Sequence, residues 1–423
     1  MRALHWRSDS IPSLPAGKTL LPRGQGRSYG DACLNDGEYL LSTSGLDRLI
    51  AFDRQTGLLR CESGVTLEQI LEISVPQGWF LPVTPGTKYA SIGGAIANDV
   101  HGKNHHRAGN FGHHVRRFEL LRSDGTRRIC SPTENADWYQ ATIGGLGLTG
   151  LITWAEVQLK PVQGPFISQE VIRFRNLEEF FEISESSDAD YEYTVSWIDC
   201  LARGKSLGRG HFIRGNHSVT PGAAEDFREK RKKAVPFDFP GWTLNSLSVK
   251  AFNTLYYNRQ ISRSKFSTVH YDPFFYPLDA IRSWNRIYGK RGFLQYQCVV
   301  PYQQGSEAIR EVLGRIAAAK TGSFLAVLKT FGNVPAVGMM SFPRPGVTLA
   351  LDFPNSGEKL YKLFEDLDQV VAQSGGALYP AKDARMSSTH YLQFYPRYRE
   401  FTRFIDPQIS SSFWRRTGGA AQT

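Results

Sequence analysis

The chain has 423 residues, 41% of them hydrophobic and 21% charged, with 40 glycines and 22 prolines. That length exceeds one ordinary domain, and the composition excludes fibrous, disordered and disulfide-framework classes. The net charge of +10 divides into +2 over residues 1–150 and +8 over the remainder, so the second half suits a partner that carries phosphate or presents an anionic surface.

Average usage predicts about 30 glycines in such a chain, and 20 of the 40 fall in residues 1–150. The surplus belongs to the N-terminal third, where the backbone must turn tightly or approach something closely. Cys33, Cys61, Cys130, Cys200 and Cys298 are widely spaced and form no CxxC pair, which argues against a thiolate zinc site and fits a reducing compartment. The N-terminus has no apolar core of signal-peptide length, and no run is long and apolar enough to cross a bilayer. The expected location is the cytoplasm, with peripheral contact at the inner face of the membrane.

In chain order, short apolar runs between residues 38 and 63 alternate with turn signals and predict strands joined by hairpin turns. Thr66 and Gln69 predict a capping box that starts a helix through Leu71. Beyond residue 160 the periodicity predicts helices over 176–184, 308–320 and 358–373, the last ended by Gly375 and Gly376. Strands are expected within 323–331 and 347–353, which gives a sheet covered by helices. The stretch 201–255 is poor in periodicity and reads in part as a loop. It contains the basic run Arg228–Lys233, in which five of six residues are cationic.

Four constellations could carry chemistry. Residues 22–31, PRGQGRSYGD, and 85–98, PGTKYASIGGAIAN, are glycine loops whose backbone N–H groups can converge on a pyrophosphate. The spacing Gly24-x-Gly26-x-x-x-Gly30 is not the Rossmann fingerprint, but a third loop, IGGLGLTG at 143–150, makes three on one short domain. An extended dinucleotide lying across several loops accounts for all three. Residues 99–114 hold five of the ten histidines. The pair His101 and His105 has the spacing of helical metal ligands, whereas the glycines and asparagines around it oppose a long helix, and no metal is expected. Near the C-terminus Lys382 and Asp383 are adjacent. A lysine among aromatics can have a lowered pKa and serve as a base or as a partner for an anionic intermediate. Gln295 and Gln297 alternate onto one strand face, where amides suit sugar hydroxyls.

Together the segments RGQGRSYGD, PGTKYASIGGAIANDVHGKNHHRAGNFGHHV, GGLGLTGLI, FLQYQ, LKTFG, SFPRPG, LDFP and YPAKDAR resemble the FAD-binding oxidoreductases of the vanillyl-alcohol oxidase type, with a PCMH-type FAD domain. The likeness extends over residues 22–407 and is greatest to the subgroup that oxidises polyprenyl-phosphoryl ribose. It implies an α+β fold: an FAD-binding domain at 1–163, an antiparallel-sheet substrate domain covered by helices at 164–376, and a return of 377–423 to the FAD domain. It places FAD contacts on Pro22, Arg23, Gly24, Gln25, Gly26, Arg27, Ser28, Tyr29, Gly30 and Asp31, then on Gly86, Ser91, Ile92, Gly93, Gly94, Asn98, Asp99, Val100, His101, Ile152 and Tyr379. Substrate contacts fall on Lys103, Trp197, Tyr276, Gln295, Gln297, Lys329 and Lys382, with Tyr29 matched on that side as well.

Many relatives link a histidine of the first loop covalently to the flavin. Arg27 stands there in this chain, so the expected FAD is non-covalently bound. A cysteine of the ribose-oxidising subgroup, just before the DFP run, corresponds to Ala350.

The implied activity is oxidation of the ribosyl C2 hydroxyl to the 2-keto sugar, with hydride passing to flavin N5. This is the first half of an epimerisation to the arabinose form used in cell-envelope polysaccharide, with an NAD(P)H-dependent short-chain reductase as partner for the second half. Lys382 is the expected catalytic residue for the reduced flavin or the developing alkoxide, and Tyr29 and His101 are alternative proton acceptors. The polyprenyl phosphate accounts for the basic second half, and Arg228–Lys233 is expected to hold the enzyme at anionic lipid. Two other readings are weaker. An aldonolactone or alditol oxidase on a soluble sugar fits the superfamily, and a basic nucleic-acid-binding protein fits the pI of 9.3 but lacks a recognition helix or RNP-like motif.

Overall fold

In the computed structural model, residues 2–219 and 233–418 are described. Arg228–Lys233, apart from Lys233 itself, lies outside the described residues. Antiparallel sheets with helices interspersed along the chain make up the fold, as expected of the α+β class. A five-stranded antiparallel sheet takes the order Leu49–Phe52, Leu58–Glu62, Leu151–Gln158, Val115–Leu121, Arg127–Cys130. Beside it, Arg2–Ala3, Tyr39–Ser42 and Leu20–Arg23 form a small parallel sheet.

Only part of the 38–63 region is therefore a hairpin. Leu49–Phe52 turns back into Leu58–Glu62 through Gly57 at φ +72°, whereas Tyr39–Ser42 pairs with strands earlier in the chain. Alternation marks a strand but does not choose its partner. The Thr66 capping box forms as expected: the Thr66 N–H donates to Gln69 Oε1 at 2.8 Å, and the Gln69 N–H donates to Thr66 Oγ1 at 3.3 Å.

The third sheet has eight strands, all antiparallel, in the order Ser264–His270, Phe166–Phe174, Gly210–Ser218, Tyr193–Ile198, Ala326–Phe331, Gly346–Pro354, Phe293–Val300, Ala377–Leu378. Helices Leu177–Ser187, Tyr302–Ala319 and Glu358–Gln373 contribute to the core on one side of it. The period-2 pattern of Gly346–Pro354 shows why the sheet can be two-faced. Val347, Leu349, Leu351 and Phe353 enter the helix-side core, while Thr348, Ala350 and Asp352 line a cavity on the other face.

Within the 201–255 stretch, residues 220–232 lie outside the described residues, and the described parts carry more regular structure than the composition indicates. They hold the strand Gly210–Ser218 and the helix Ser246–Asn258. The strand reads weakly because Gly210 stands where a Cβ would lie 2.0 Å from the Trp197 carbonyl oxygen, and because Arg214, Asn216 and His217 interrupt its apolar positions.

The C-terminal residues pack against the N-terminal third. Ser410 N–H donates to the Leu20 carbonyl at 3.0 Å, Arg416 bridges Asp31 and Asp383, and Ser123 N–H donates to Asp406 at 2.8 Å. Tyr29 N–H donates to the Ala381 carbonyl at 2.9 Å, which stitches the first glycine loop to the segment that carries Lys382.

Candidate functional site

A cavity of about 990 Å³ lies between the glycine loops and the open face of the eight-stranded sheet. That is near the upper end of the range for small-molecule sites. One wall is formed by the glycine loops and the segments that adjoin them: residues 22–29, Gly86, Ser91, Gly93, Gly94, Asn98, Val100, His101, Gly147, Gly150 and Ile152. The other carries Trp197, Gln295, Gln297, Lys329, Asp352 and Lys382, with Lys103 and Tyr379 between them.

The glycines of the first wall serve close approach. A Cβ on Gly24 would sit 2.2 Å from Ser91 Oγ, and one on Gly93 would sit 2.9 Å from the Ser63 Cβ. A Cβ on Gly86 would meet no atom within 4 Å, so it would project into space left open. Around this wall Arg23 Nε and Ser63 Oγ are buried without a hydrogen-bond partner, and such groups ordinarily find one. An open cradle with unspent donors fits a dinucleotide phosphate. Arg27 lies 5.3 Å from the Tyr89 ring centroid.

Five of the residues expected at the site are not on the cavity wall. Gly30 packs on the 377–383 segment, where a Cβ would lie 1.5 Å from the Asp383 carbonyl oxygen. Asp31 is held by Arg416 at 2.7 Å. Ile92 is fully buried in the core behind the second loop. Asp99 is also fully buried and accepts hydrogen bonds from Asn110 Nδ2, Gly112 N–H and Ser341 Oγ. It ties down the histidine-rich segment instead of facing a ligand. Tyr276 is buried one layer back, its hydroxyl 2.7 Å from Thr84 Oγ1, and Thr84 is the residue that reaches the cavity. Adjacency to a motif residue does not fix which neighbour faces the ligand.

Around His101 the two walls meet in a tight polar network. Lys329 Nζ lies 3.0 Å from His101 Nδ1 and donates to the Gly102 carbonyl at 2.6 Å. His101 Nε2 is 3.0 Å from the Gln297 amide. Burial, then the Lys329 charge, holds the His101 pKa well below its ordinary value, so the ring is neutral. With Nδ1 accepting from Lys329, the ring proton sits on Nε2 and the Gln297 amide oxygen belongs against it. Burial and the neighbouring Lys103 pull the Lys329 pKa well down, and burial lowers Lys103 to about 8.

Lys382 stands 3.9 Å from the centre of the Tyr29 ring, and Tyr29 packs edge-on against Phe293 with centroids 5.3 Å apart. Withdrawal from solvent lowers the Lys382 pKa to about 8, opposed by the carboxylate of Asp352. Asp352 is pushed up to about 6 by burial, opposed by a hydrogen bond from Gln295 Nε2 and by the Lys382 charge. Sequence reasoning missed Asp352. The signal was its register, opposite Gln295 and two residues from Ala350, which is opposite Gln297. The Tyr29 phenol is raised by its enclosed setting and by Asp352 and Asp279. Tyr379 completes the junction, its hydroxyl donating to the Asn98 carbonyl at 3.0 Å and its ring stacked on Phe342.

The FAD binding domain family matches residues 15–131. A decaprenylphosphoryl-β-D-ribose oxidase of Mycolicibacterium smegmatis is 35% identical over 404 residues, 92% of this chain and 87% of that protein. The chain belongs to the decaprenylphosphoryl-β-D-ribose oxidase family. It is therefore an FAD-dependent oxidoreductase. An uncharacterised protein of Streptomyces coelicolor is 31% identical over 84% of this chain and the whole of its own length. Human Δ(24)-sterol reductase shares 30% identity over 115 residues, 27% of this chain and 22% of its own, a short match of the kind a common cofactor domain produces. Among the described residues no helix is long and apolar enough to cross a membrane.

Proposed function

We propose that this enzyme oxidises the C2 hydroxyl of a polyprenyl-phosphoryl ribose to the 2-keto sugar, the first half of an epimerisation to the arabinose form. One observation carries the reading. Lys103, Lys329 and Lys382 converge on the cavity wall beside a glutamine pair, and Asp352 stands among them. Lysines of that density, which the charge of a phosphate would hold protonated, suit a sugar that bears phosphate, and the amides suit its hydroxyls.

FAD, held by the glycine-loop wall and Tyr379, supplies the two-electron acceptor for the C2 hydride. The protein's part is to position the sugar and manage one proton. Lys382, as the ammonium, offsets the negative charge that grows on the C2 oxygen as the hydroxyl ionises. Asp352, whose raised pKa lies close to neutrality, is the group suited to accept that proton. Tyr29 and His101 then act by positioning. The Tyr29 phenol is held protonated, and both His101 ring nitrogens are already engaged. Gln295 Oε1 is buried without a partner and is a ready acceptor for a ribose hydroxyl.

The division into an FAD domain at 1–163 with 377–423 and a substrate domain at 164–376 belongs to the same reading. The stitching of Tyr29 to Ala381 and the Arg416 bridges support it. The 2-keto product requires a second enzyme to return a hydride, a role for an NAD(P)H-dependent short-chain reductase. The enzyme works in the cytoplasm at the membrane that holds its lipid substrate.

The test is anaerobic mixing of the FAD-loaded enzyme with a water-soluble, short-chain polyprenyl-phosphoryl ribose and, separately, with free sugars and aldonolactones. Loss of the visible flavin absorbance with the first alone supports the reading. Reduction by a free sugar or an aldonolactone alone overturns it in favour of the soluble-sugar oxidase.

A further inference from the structure

Eight of the fifteen large hydrophobic side chains that stand exposed among the described residues fall between Phe237 and Ile281. Ile261, Leu247 and Trp242 are the most open, at 88%, 78% and 76% exposure. Isolated exposed leucines need no explanation, but a concentration of large apolar side chains on one surface marks an interaction site. These residues sit on the elements that rim the cavity. The helix Ser246–Asn258 buries Val249, Asn253 and Tyr257 on its inner face, with Tyr256 reaching the cavity, and turns Leu247 and Leu255 outward. Across the mouth, Leu278, Trp284 and Asn285 line the cavity, and Ile281 beside them is exposed.

Charge selects the occupant. Between residues 233 and 291 there are nine lysines and arginines against three aspartates. Two of those aspartates, Asp272 and Asp279, are turned inward to Lys88. The outer surface thus combines apolar side chains with cations, the pattern of a segment that lies in the interface of an anionic bilayer.

We propose that the outward face of the helix Ser246–Asn258, continued by Trp242 and Ile261, is a docking surface for an anionic lipid leaflet that seats the cavity mouth on the membrane. The inference rests on the lipid-linked substrate proposed above and names where that substrate enters. The polyprenyl chain stays among the acyl chains while its phosphoryl sugar passes between the rims toward the lysines. No lipid tail then has to leave the bilayer for turnover.

The experiment uses the full FAD-loaded chain and the double variant Leu247→Glu/Leu255→Glu, neither residue being part of the cavity wall. Sedimentation with vesicles of equal parts phosphatidylglycerol and phosphatidylcholine is compared with phosphatidylcholine alone. The expected result is binding to the anionic vesicles, weakened at least about tenfold by the double variant, with flavin reduction by the short-chain soluble substrate unchanged. If the wild type ignores anionic vesicles, or the variant sediments as the wild type does, the proposal is overturned. It is likewise overturned if the variant changes only self-association in sedimentation velocity. If vesicle binding responds as stated while the short-chain ribose leaves the flavin oxidised, docking stands and the substrate assignment fails.

Discussion

Replacing Lys382 with methionine removes the ammonium and keeps most of the side chain's bulk. Lys382 lines the cavity, 3.9 Å from the Tyr29 ring centre, and an ammonium that pairs with the reacting sugar oxygen does so at about 4 Å or less. At an effective dielectric constant of about 20, a full charge pair at that distance is worth about 4 kcal/mol. Partial charge in the transition state and residual help from Lys329 bring the expected loss to about 3–4 kcal/mol, a fall of roughly 10²–10³ in the flavin-reduction rate constant.

Stopped-flow mixing under anaerobic conditions measures that constant directly. The same variant should retain FAD, because the glycine loops are untouched. It should also not be less stable. The folded-state pKa of about 8 lies below the ordinary 10.5, so burying the charged lysine costs most below pH 8, and the cost is relieved as pH rises toward 10.5. Methionine removes that cost at every pH. A rate within threefold of wild type, with FAD bound, would refute the role assigned to Lys382.

Other perturbations test separate parts of the account. With Asp352 required as the base and Lys382 as the cation, kcat/KM should be bell-shaped in pH, rising through about 6 and falling through about 8. A flat profile between pH 5 and 9 (roughly the range where these groups titrate) contradicts the pair. Asp352→Asn should cost about 10²–10⁴-fold in flavin reduction and abolish the acidic limb, as read by the same rapid mixing. Gly30→Ala drives a Cβ onto the Asp383 carbonyl at 1.5 Å. It should lower stability by about 3 kcal/mol or more and reduce bound FAD, measured by thermal unfolding and flavin content. Arg416→Met leaves Asp31 and Asp383 without their shared cation. A loss of about 1–2 kcal/mol is expected, and unchanged thermal stability would show that the C-terminal return is held by its apolar contacts alone.

Much of the site was legible because its chemistry is local. The glycine loops, the HGKNHH segment and the AKD triplet each place their functional residues within a few positions, and Lys382, Lys329, His101 and the Gln295/Gln297 pair all reach one cavity. What was not legible depends on which way a side chain turns or on which strand lies opposite. Gly30 and Asp31 end a loop that faces the cavity but themselves serve the C-terminal segment. Asp99 is an acid among ligand-facing residues, yet its partners are Asn110, Gly112 and Ser341, the last more than 200 positions away. Asp352 needed the pairing of Phe293–Val300 with Gly346–Pro354 before its relation to Gln295 could be seen. The strand Gly210–Ser218 was hidden because contact with Trp197 demands glycine where a strand ordinarily carries a side chain.

The central claim is that the lysine-lined wall serves a phosphate-bearing ribose and delivers its C2 hydride to FAD. A short-chain polyprenyl-phosphoryl ribose deuterated at C2 tests it most directly, mixed anaerobically with the FAD-loaded enzyme. Rapid bleaching of the flavin with a primary isotope effect, and a 2-keto sugar that has lost the label, is the predicted result. A flavin that stays oxidised, or bleaches at the same rate with deuterium at C2 as with hydrogen, would contradict it.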